Sequence, residues 1–206
     1  MRKKKPKRFL RRAEQSAVQR EPDKARVYVK SCAYNKMLSL VCGFETEIGW
    51  HGLARRVGTN AYEIYDVIVY PQVVTGCTTV APDDGNYDFW LMSQPEEVFE
   101  NLRFQGHSHV RMGCFPSGVD TAFYKELLKD LPEDSFYIFM ILNKHGDSWM
   151  NVVDRKTQTV FENDNIQRRV VYDDPIIDEA KALVTKKKYD VWSANKKTEG
   201  SKDESC

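Results

Sequence analysis

SFYIFMIL, at residues 135–142, is a nearly continuous apolar run with the length of one β-strand. A strand with one solvated face alternates apolar and polar side chains, whereas a continuous run is typical of a strand buried on both faces. We therefore expect this stretch to form an interior strand of a sheet that is covered on both sides.

The segments that precede this run predict a strand, a helix and a hairpin. Residues 26–30 alternate like a strand. Residues 31–41 predict a helix that ends at Gly43, because their apolar side chains recur at helical spacing. Residues 47–56 and 61–70 predict two antiparallel strands, since both are suited to extended backbone and a turn lies between them.

The rest of the chain predicts further elements around the central run. We expect a polar connection at 71–86, a helix starting near 93–97, a helix at 121–131, strands at 149–154 and 157–161, and a helix at 165–185. Together the elements predict the α+β fold class, with a central mixed β-sheet flanked by helices. We expect one domain over residues 25–185, between a basic flexible arm at 1–24 and a charged, disordered tail at 186–206.

The composition is that of an ordinary globular protein, with 206 residues of which 41% are hydrophobic and 12% aromatic. No apolar run approaches the roughly 18 residues that a membrane-spanning helix needs. The basic N-terminus has no apolar segment of a secretory signal behind it. The five cysteines have no CxxC spacing, which argues against a disulfide framework. We therefore expect a cytoplasmic protein with no membrane partner.

The net charge of +1 hides an uneven distribution. Residues 1–12 contain eight Lys or Arg and no acid, so the rest of the chain has a net charge of −7. A basic arm of this kind either binds an anion such as nucleic acid or stays solvated. Because the acidic body would oppose nucleic acid, we favour a solvated arm and do not expect nucleic acid as a partner.

A second stretch, HSHVRMGCFPSGVD at residues 107–120, carries the candidate chemistry. In extended backbone His107 and His109 point to the same face, and Asp120 can return from the start of the next helix. Two imidazoles and one carboxylate are a common ligand set for a catalytic zinc ion, which keeps a fourth position for water. The stretch therefore predicts a metal site with hydrolytic chemistry. The alternative is a pair of surface histidines near a helix-capping aspartate.

The spacing of HxH, seven residues, Ser117, two residues and Asp120 resembles the JAMM motif of the JAB1/MPN/Mov34 metalloproteases. The resemblance runs from about Lys36 to about Asp154 and is greatest to the Prok-JAB type of bacteria and their mobile elements. It implies a three-layer MPN fold similar to that of cytidine deaminases.

The resemblance also implies a role for each motif residue. His107, His109 and Asp120 would hold one zinc ion, Glu47 would be the general base, and Ser117 would stabilise the tetrahedral oxyanion. The implied activity is zinc-dependent hydrolysis of a peptide or isopeptide bond in a protein or peptide substrate, with ubiquitin-like proteins among the candidates. The alternative is a non-catalytic MPN-type module that binds or scaffolds a peptide. Such modules commonly lose the motif, whereas every motif position is filled here.

Some assignments around the motif stay open at this point. Glu45 lies two residues from Glu47 and would face the same side of a strand; we prefer Glu47 because the residues after it resemble those that follow the family's glutamate. We expect Ser108 to point away from the ligands and to support neighbouring backbone. His51 and His145 are isolated, and we expect each at the surface or in a turn.

Overall fold

The structure is a computed structural model, and it describes residues 24–75, 79–110 and 112–185. Most of the predicted basic arm and the whole of the predicted tail lie outside the described residues. The chain divides into two compact units between Val171 and Tyr172. The predicted single domain over residues 25–185 therefore stays a prediction.

Within the described ranges the chain forms ten strands and five α-helices. The strands are β1 Ala25–Lys30, β2 Gly49–Gly58, β3 Ala61–Ile68, β4 Gln72–Thr75, β5 Thr79–Pro82, β6 Leu102–His109, β7 Phe136–Asn143, β8 Ser148–Asp154, β9 Thr159–Phe161 and β10 Ile166–Val171. The helices are α1 Ser31–Gly43, α2 Asp84–Met92, α3 Glu96–Asn101, α4 Gly118–Lys129 and α5 Pro175–Leu183, with a short 3-10 helix at Asn163–Asn165.

Eight of the strands form one mixed sheet in the order β10-β1-β3-β2-β6-β7-β8-β9, and β4 pairs with β5 in a separate two-stranded sheet. β1 pairs in parallel with both β10 and β3, and β6 pairs in parallel with β7. The other neighbours are antiparallel. The fold class is therefore α+β with a central mixed sheet, as predicted.

The two faces of the sheet carry two separate hydrophobic clusters. Alternate residues of β7 point to opposite faces, and all eight of its residues are buried. Ile138 and its neighbours on that face pack with Met37 of α1. Phe139 packs on the other face with Tyr124 of α4, where the ring centroids are 3.9 Å apart. The run at residues 135–142 thus forms an interior strand with helices on both sides.

A buried ion pair joins the end of β8 to the hairpin β2–β3. The carboxylate of Asp154 has no solvent exposure and accepts hydrogen bonds from both terminal nitrogens of Arg56 and from the hydroxyl of Tyr62. Arg56 also lies over the rings of Tyr62 and Phe136. A carboxylate without solvent needs such partners, because an unpaired buried charge is strongly unfavourable.

Two predictions about local structure are wrong. Residues 165–185 do not form one helix: β10 occupies Ile166–Val171, and only Pro175–Leu183 are helical. β10 is strand because it pairs in parallel with β1, a partner far away in the chain. The connection at 71–86 is not unstructured, since it contains β4, β5 and the start of α2. No helix in the described ranges is long and apolar enough to cross a membrane.

Candidate metal centre

The candidate centre begins at the end of β6, where the two motif histidines lie on one face of the sheet. His107 and His109 are both buried, and their Nε2 atoms face each other at 3.2 Å. Their intervening residue, Ser108, points to the opposite face, as expected for extended backbone. Gly106 lets β6 pass over Trp50, because a Cβ there would lie 2.4 Å from the indole Nε1. Trp50 is therefore a core residue beneath the strand that carries the histidines.

Asp120 reaches the same place from the first turn of α4. Ser117 is the N-cap of this helix, and its hydroxyl accepts a hydrogen bond from the Asp120 N–H. The Asp120 Oδ2 accepts hydrogen bonds from the Ser117 N–H and hydroxyl, at 2.7 and 2.6 Å. This reciprocal capping box occupies one carboxylate oxygen. The other oxygen, Oδ1, lies 3.3 Å from His107 Nε2.

Three potential ligand atoms therefore converge, one each from His107, His109 and Asp120. They all lie within 4.8 Å of one another. Nδ1 of His109 donates to the carbonyl of Gly113 at 2.8 Å. This hydrogen bond leaves the lone pair of Nε2 directed at the other two residues, which is the usual arrangement of a metal-binding histidine. The group could hold a metal ion.

Glu47 approaches the same centre from the segment between α1 and β2. The residue is 3% exposed, and one oxygen of its side chain lies 4.0 Å from His109 Nε2. That oxygen, Oε1, has no hydrogen-bond partner among the described residues. Glu45 instead contacts Lys144 at the surface, with 2.8 Å between Oε1 and Nζ. Of the two glutamates that the sequence left open, the fold brings Glu47 to the histidines and leaves Glu45 outside.

Ser108 holds the Glu47 segment against β6. Its hydroxyl accepts a hydrogen bond from the Ile48 N–H at 3.0 Å, and its own N–H donates to the Ile48 carbonyl at 2.9 Å. One residue later, Gly49 pairs with His107 in the register of β2 and β6. Ser108 therefore supports neighbouring backbone, as predicted. Its hydrogen bonds hold the backbone of Ile48, the residue that follows Glu47, and so keep Glu47 in position.

Burial dominates the electrostatics of the centre. It lowers the pKa of His107 to about 4, although the Asp120 carboxylate acts in the opposite direction. It raises the pKa of Glu47 to about 7, against the effect of the neighbouring His109. Both shifts favour the neutral form of the side chain, because a desolvated charge is unfavourable. Neutral imidazole is also the form that binds metal ions.

Ser117 lies at the mouth of the centre but is already engaged. Its side chain is exposed, and its single hydroxyl proton is donated to Asp120. Donation to a developing oxyanion would require this proton to leave Asp120. The hydroxyl would still accept the Asp120 N–H in that case, so the cap would persist in part.

His51 was expected at the surface or in a turn, and this expectation is wrong. The side chain is buried, and its Nε2 lies 2.8 Å from the hydroxyl of Tyr87 in α2. The ring also lies beside Tyr70 and Trp90. Burial lowers the pKa of His51 to about 4. No sequence pattern indicated the burial of His51, because the covering helix α2 was itself not predicted. His145 is exposed in the turn after β7, as expected.

His51 and its neighbour Gln105 add two polar side chains to the face of the sheet that carries His107. It pairs with Gln105 across β2 and β6, next to the pair Gly49 and His107. Gln105 is also buried, and its Oε1 has no partner among the described residues. The two-residue spacing from His107 to Gln105 within a predicted strand is the signal that could have placed Gln105 on this face.

Comparisons with known proteins add little to this geometry. No family model matches the chain, and no curated protein matches it. Among solved structures, the chain is similar to the solution structure of a structural-genomics protein from Desulfitobacterium hafniense, with 14% sequence identity and a TM-score of 0.47. That match covers 71% of this chain and 95% of the other. A likeness this weak says nothing about function.

Proposed function

We propose that this protein is a zinc-dependent metallopeptidase or isopeptidase that hydrolyses an amide bond in a protein or peptide substrate. One observation carries the proposal: a buried carboxylate with an unpartnered oxygen, Glu47, lies beside a group of two histidines and an aspartate. The two parts come from distant segments of the chain. A metal-ligand set with an adjacent proton acceptor is what metal-assisted hydrolysis requires.

Two of the three separations between the ligand atoms suit a tetrahedral zinc ion, and the third is at most 4.8 Å. Two ligands at about 2.0–2.1 Å from a tetrahedral zinc ion are about 3.3 Å apart. The separations are 3.2 Å between the two Nε2 atoms and 3.3 Å between His107 Nε2 and Asp120 Oδ1. The sequence motif supports the same assignment through its resemblance to JAMM metalloproteases. We extend the proposal to the fold, as a mixed sheet with helices on both faces suits an MPN domain.

A bound zinc ion would polarise the substrate carbonyl and lower the pKa of a coordinated water to about 7. Glu47 Oε1 would accept a proton from the attacking water and pass it to the leaving amine. The Ser108–Ile48 hydrogen bonds would keep that carboxylate beside the histidines. Ser117 would donate to the oxyanion after releasing Asp120 Oδ2. His109 would keep its orientation through the Gly113 carbonyl.

The cysteines support a reducing compartment. Cys32, Cys42 and Cys114 are all free thiols. We therefore propose that the protein acts in the cytoplasm, where such thiols persist.

The first test measures the metal. Full-length protein purified without chelator should contain about one zinc ion per chain by mass spectrometry of the metal. His107→Ala and Asp120→Asn should lose most of it, whereas His145→Ala, a change at an exposed histidine, should keep it. Absence of zinc from a folded wild-type protein would refute the proposed centre.

The second test separates the enzyme from a scaffold. Zinc-loaded Glu47→Gln should keep its metal and trap a substrate that the wild-type protein cuts, with hydrolysis slowed by about 10²–10⁴-fold. Glu45→Gln is the matched control and should leave hydrolysis unchanged, because Glu45 contacts Lys144 at the surface. Mass spectrometry of the trapped protein, before and after incubation with the wild-type protein, identifies the cleaved bond. A partner that binds both proteins and stays intact would favour the scaffolding module.

A further inference from the structure

Helix α2 carries exposed apolar and acidic side chains on the face that points away from the sheet. Its inner face is defined by Tyr87 and Trp90, whose rings lie over the buried histidine of β2. On the outer face Phe89 is 79% exposed and Met92 is 84% exposed. Met92 is three residues from Phe89 and four from the exposed Asp88, so it is a neighbour of both on the helix. The described residues therefore leave the outer face of α2 uncovered.

Helix α3 continues this exposed surface. Glu96, Phe99 and Glu100 are all exposed, and their spacing of three and four residues puts them on one side of the helix. Three residues connect α2 to α3, so the Cα atoms of Met92 and Glu96 are at most about 14 Å apart. Backbone and side-chain hydrogen bonds fix this connection. We call the outer side chains of both helices the α2–α3 surface; they are Asp88, Phe89, Met92, Glu96, Phe99 and Glu100.

The negative charge of the α2–α3 surface is not balanced by neighbouring bases. Residues 57–102 contain eight Asp or Glu and no Lys or Arg. The three acids of the surface form no ion pair with a described residue. The bases that border the stretch are engaged, because Arg56 binds Asp154 and Arg103 donates to the carbonyl of Leu102. Such a surface fits a partner that combines apolar side chains with positive charge.

The chain itself contains a segment with the complementary pattern. Residues 1–12 lie outside the described residues, and they include eight Lys or Arg and no acid. Phe9 and Leu10 form an apolar pair with bases on both sides. The apolar side chains of α2 likewise have acids on both sides, at Asp88 and Glu96. The acidic body that argues against nucleic acid as a partner therefore attracts this segment.

The basic segment is close enough in the chain to reach the α2–α3 surface. Residues 13–24 connect it to β1, and twelve residues can span about 40 Å. Arg26 at the start of β1 pairs with Ala61, and Tyr65 lies four residues, or about 13 Å, further along β3. Burial raises the pKa of Tyr65, and the nearby carboxylate of Glu97 in α3 adds to this increase. α3 also lies against β2, the neighbour of β3. The helix is therefore within reach.

We propose that residues 1–12 bind the α2–α3 surface of the same molecule, with Phe9 and Leu10 against its apolar side chains and the bases beside its carboxylates. The connection to β1 gives this association an effective concentration on the order of millimolar. α2 covers His51, which lies on the face of the sheet that carries His107. The bound segment would therefore lie on the same side of the sheet as the proposed metal centre. The association does not require the protein to be an enzyme.

Oxidation of Met92 measures whether the α2–α3 surface is covered. Full-length protein is treated briefly with hydrogen peroxide, and the sulfoxide at each methionine is quantified by mass spectrometry. Hydrogen peroxide is neutral, so charge substitutions do not steer it towards the surface. We expect Met92 to oxidise about three- to tenfold more slowly in low salt than in high salt, which screens ion pairs. Met112, which is 46% exposed, is the reference, and the fully buried Met37 reports unfolding.

Charge reversal identifies the two partners. The segment variant combines Lys3→Glu, Lys4→Glu, Lys5→Glu, Lys7→Glu and Arg8→Glu. The surface variant combines Asp88→Lys, Glu96→Lys and Glu100→Lys. In low salt each variant should oxidise at Met92 about three- to tenfold faster than the wild-type protein, and their combination should restore slow oxidation. If a reversal exposes Met37 to oxidation, Asn and Gln at the same acids take its place.

A matched control tests whether any nearby acid would attract the segment. Glu162→Lys with Asp164→Lys reverses two exposed acids that lie close to the start of β1, because Ile166 pairs with Ala25. This control should leave Met92 protected. Faster oxidation of Met92 in the control would assign the segment to the acids beside β1 and overturn the proposal.

Three other results would also overturn it. Equal oxidation of Met92 in every variant and at every salt concentration would show that no charged segment covers the surface. Failure of the combined variant to restore slow oxidation would show that residues 1–12 and the surface do not pair. Protection that disappears on about hundredfold dilution would assign the cover to a second copy of the chain, since an intramolecular contact does not depend on protein concentration.

Discussion

Ser108→Ala should destabilise the protein and loosen Glu47 without removing a proposed metal ligand. Ser108 is 1% exposed, and its hydroxyl accepts the buried Ile48 N–H at 3.0 Å. Alanine leaves that N–H with no acceptor, which costs about 1–3 kcal/mol for a buried donor. The backbone bond from the residue 108 N–H to the Ile48 carbonyl remains. We therefore expect a loss of about 2 kcal/mol in the free energy of unfolding.

Two measurements check this expectation. Urea denaturation gives the change in the free energy of unfolding, and amide hydrogen exchange gives the protection of the Ile48 N–H. Exchange at Ile48 should become faster, while the zinc content stays the same. Ser108→Thr keeps the hydroxyl and should restore the protection. Ser39→Ala is the control: its hydroxyl donates to the Asn35 carbonyl on the exposed surface of α1, and its loss should cost less than about 0.5 kcal/mol.

Unfolding of Ser108→Ala at the same urea concentration as the wild-type protein, with an unchanged exchange rate at Ile48, would refute this role of the Ser108 hydroxyl. The same role would be refuted if Ser108→Thr behaved like alanine in both measurements. Once a substrate is known, the alanine variant should hydrolyse it more slowly at unchanged zinc content, because Glu47 is the residue before Ile48.

Two further changes test the packing and the charge of the fold. Gly106→Ala places a Cβ 2.4 Å from Trp50 Nε1, so it should lower the free energy of unfolding by about 1–3 kcal/mol and lower the zinc occupancy. Gly43→Ala is the control, because Gly43 has open space around it and the change should be neutral or slightly stabilising. Equal stability of the two variants would contradict this expectation. Asp154→Asn should cost about 3 kcal/mol at neutral pH by breaking the pair with Arg56. Burial alone would raise the pKa of Asp154, but the hydrogen bonds from Arg56, Tyr62 and the Thr157 N–H, together with the charge of Arg56, outweigh it and lower the pKa from 3.8. The stabilisation is therefore present above pH 3.8 and is lost as the pH falls towards the native pKa, so thermal unfolding curves of the two proteins should converge in acid; a constant difference would refute the assignment.

The parts of the fold that the sequence predicted are those with a strong local pattern. The run at 135–142 could be assigned because a strand covered on both faces is apolar at almost every position, so its ends are visible in the sequence. The hairpin β2–β3 has a turn between two apolar runs, which is also a local signal. β10 was missed because its strand conformation depends on pairing with β1, at the other end of the unit. Local propensity does not report such pairings.

The candidate site also contains residues that a local sequence pattern predicts and residues whose positions depend on distant parts of the chain. The i and i+2 spacing of His107 and His109 placed both rings on one face, since the period of a strand is two. The position of Glu47 could be inferred from the family resemblance but not from spacing, because it depends on the register between β2 and β6. The burial of His51 could not be inferred at all, as it results from the packing of α2 on the sheet.

The pairing of β2 with β6 has a consequence for how the protein is made. It joins the Glu47 segment to the histidine strand across a separation of 60 residues, as the Ser108–Ile48 bond shows. During synthesis Glu47 leaves the ribosome well before His107, and Asp120 follows later still. The nascent chain therefore contains the proposed base for some time before any of the proposed metal ligands has been made. The proposed metal centre can then form only after a long loop has closed, a slow step in folding, and therefore only when the middle of the sheet is complete.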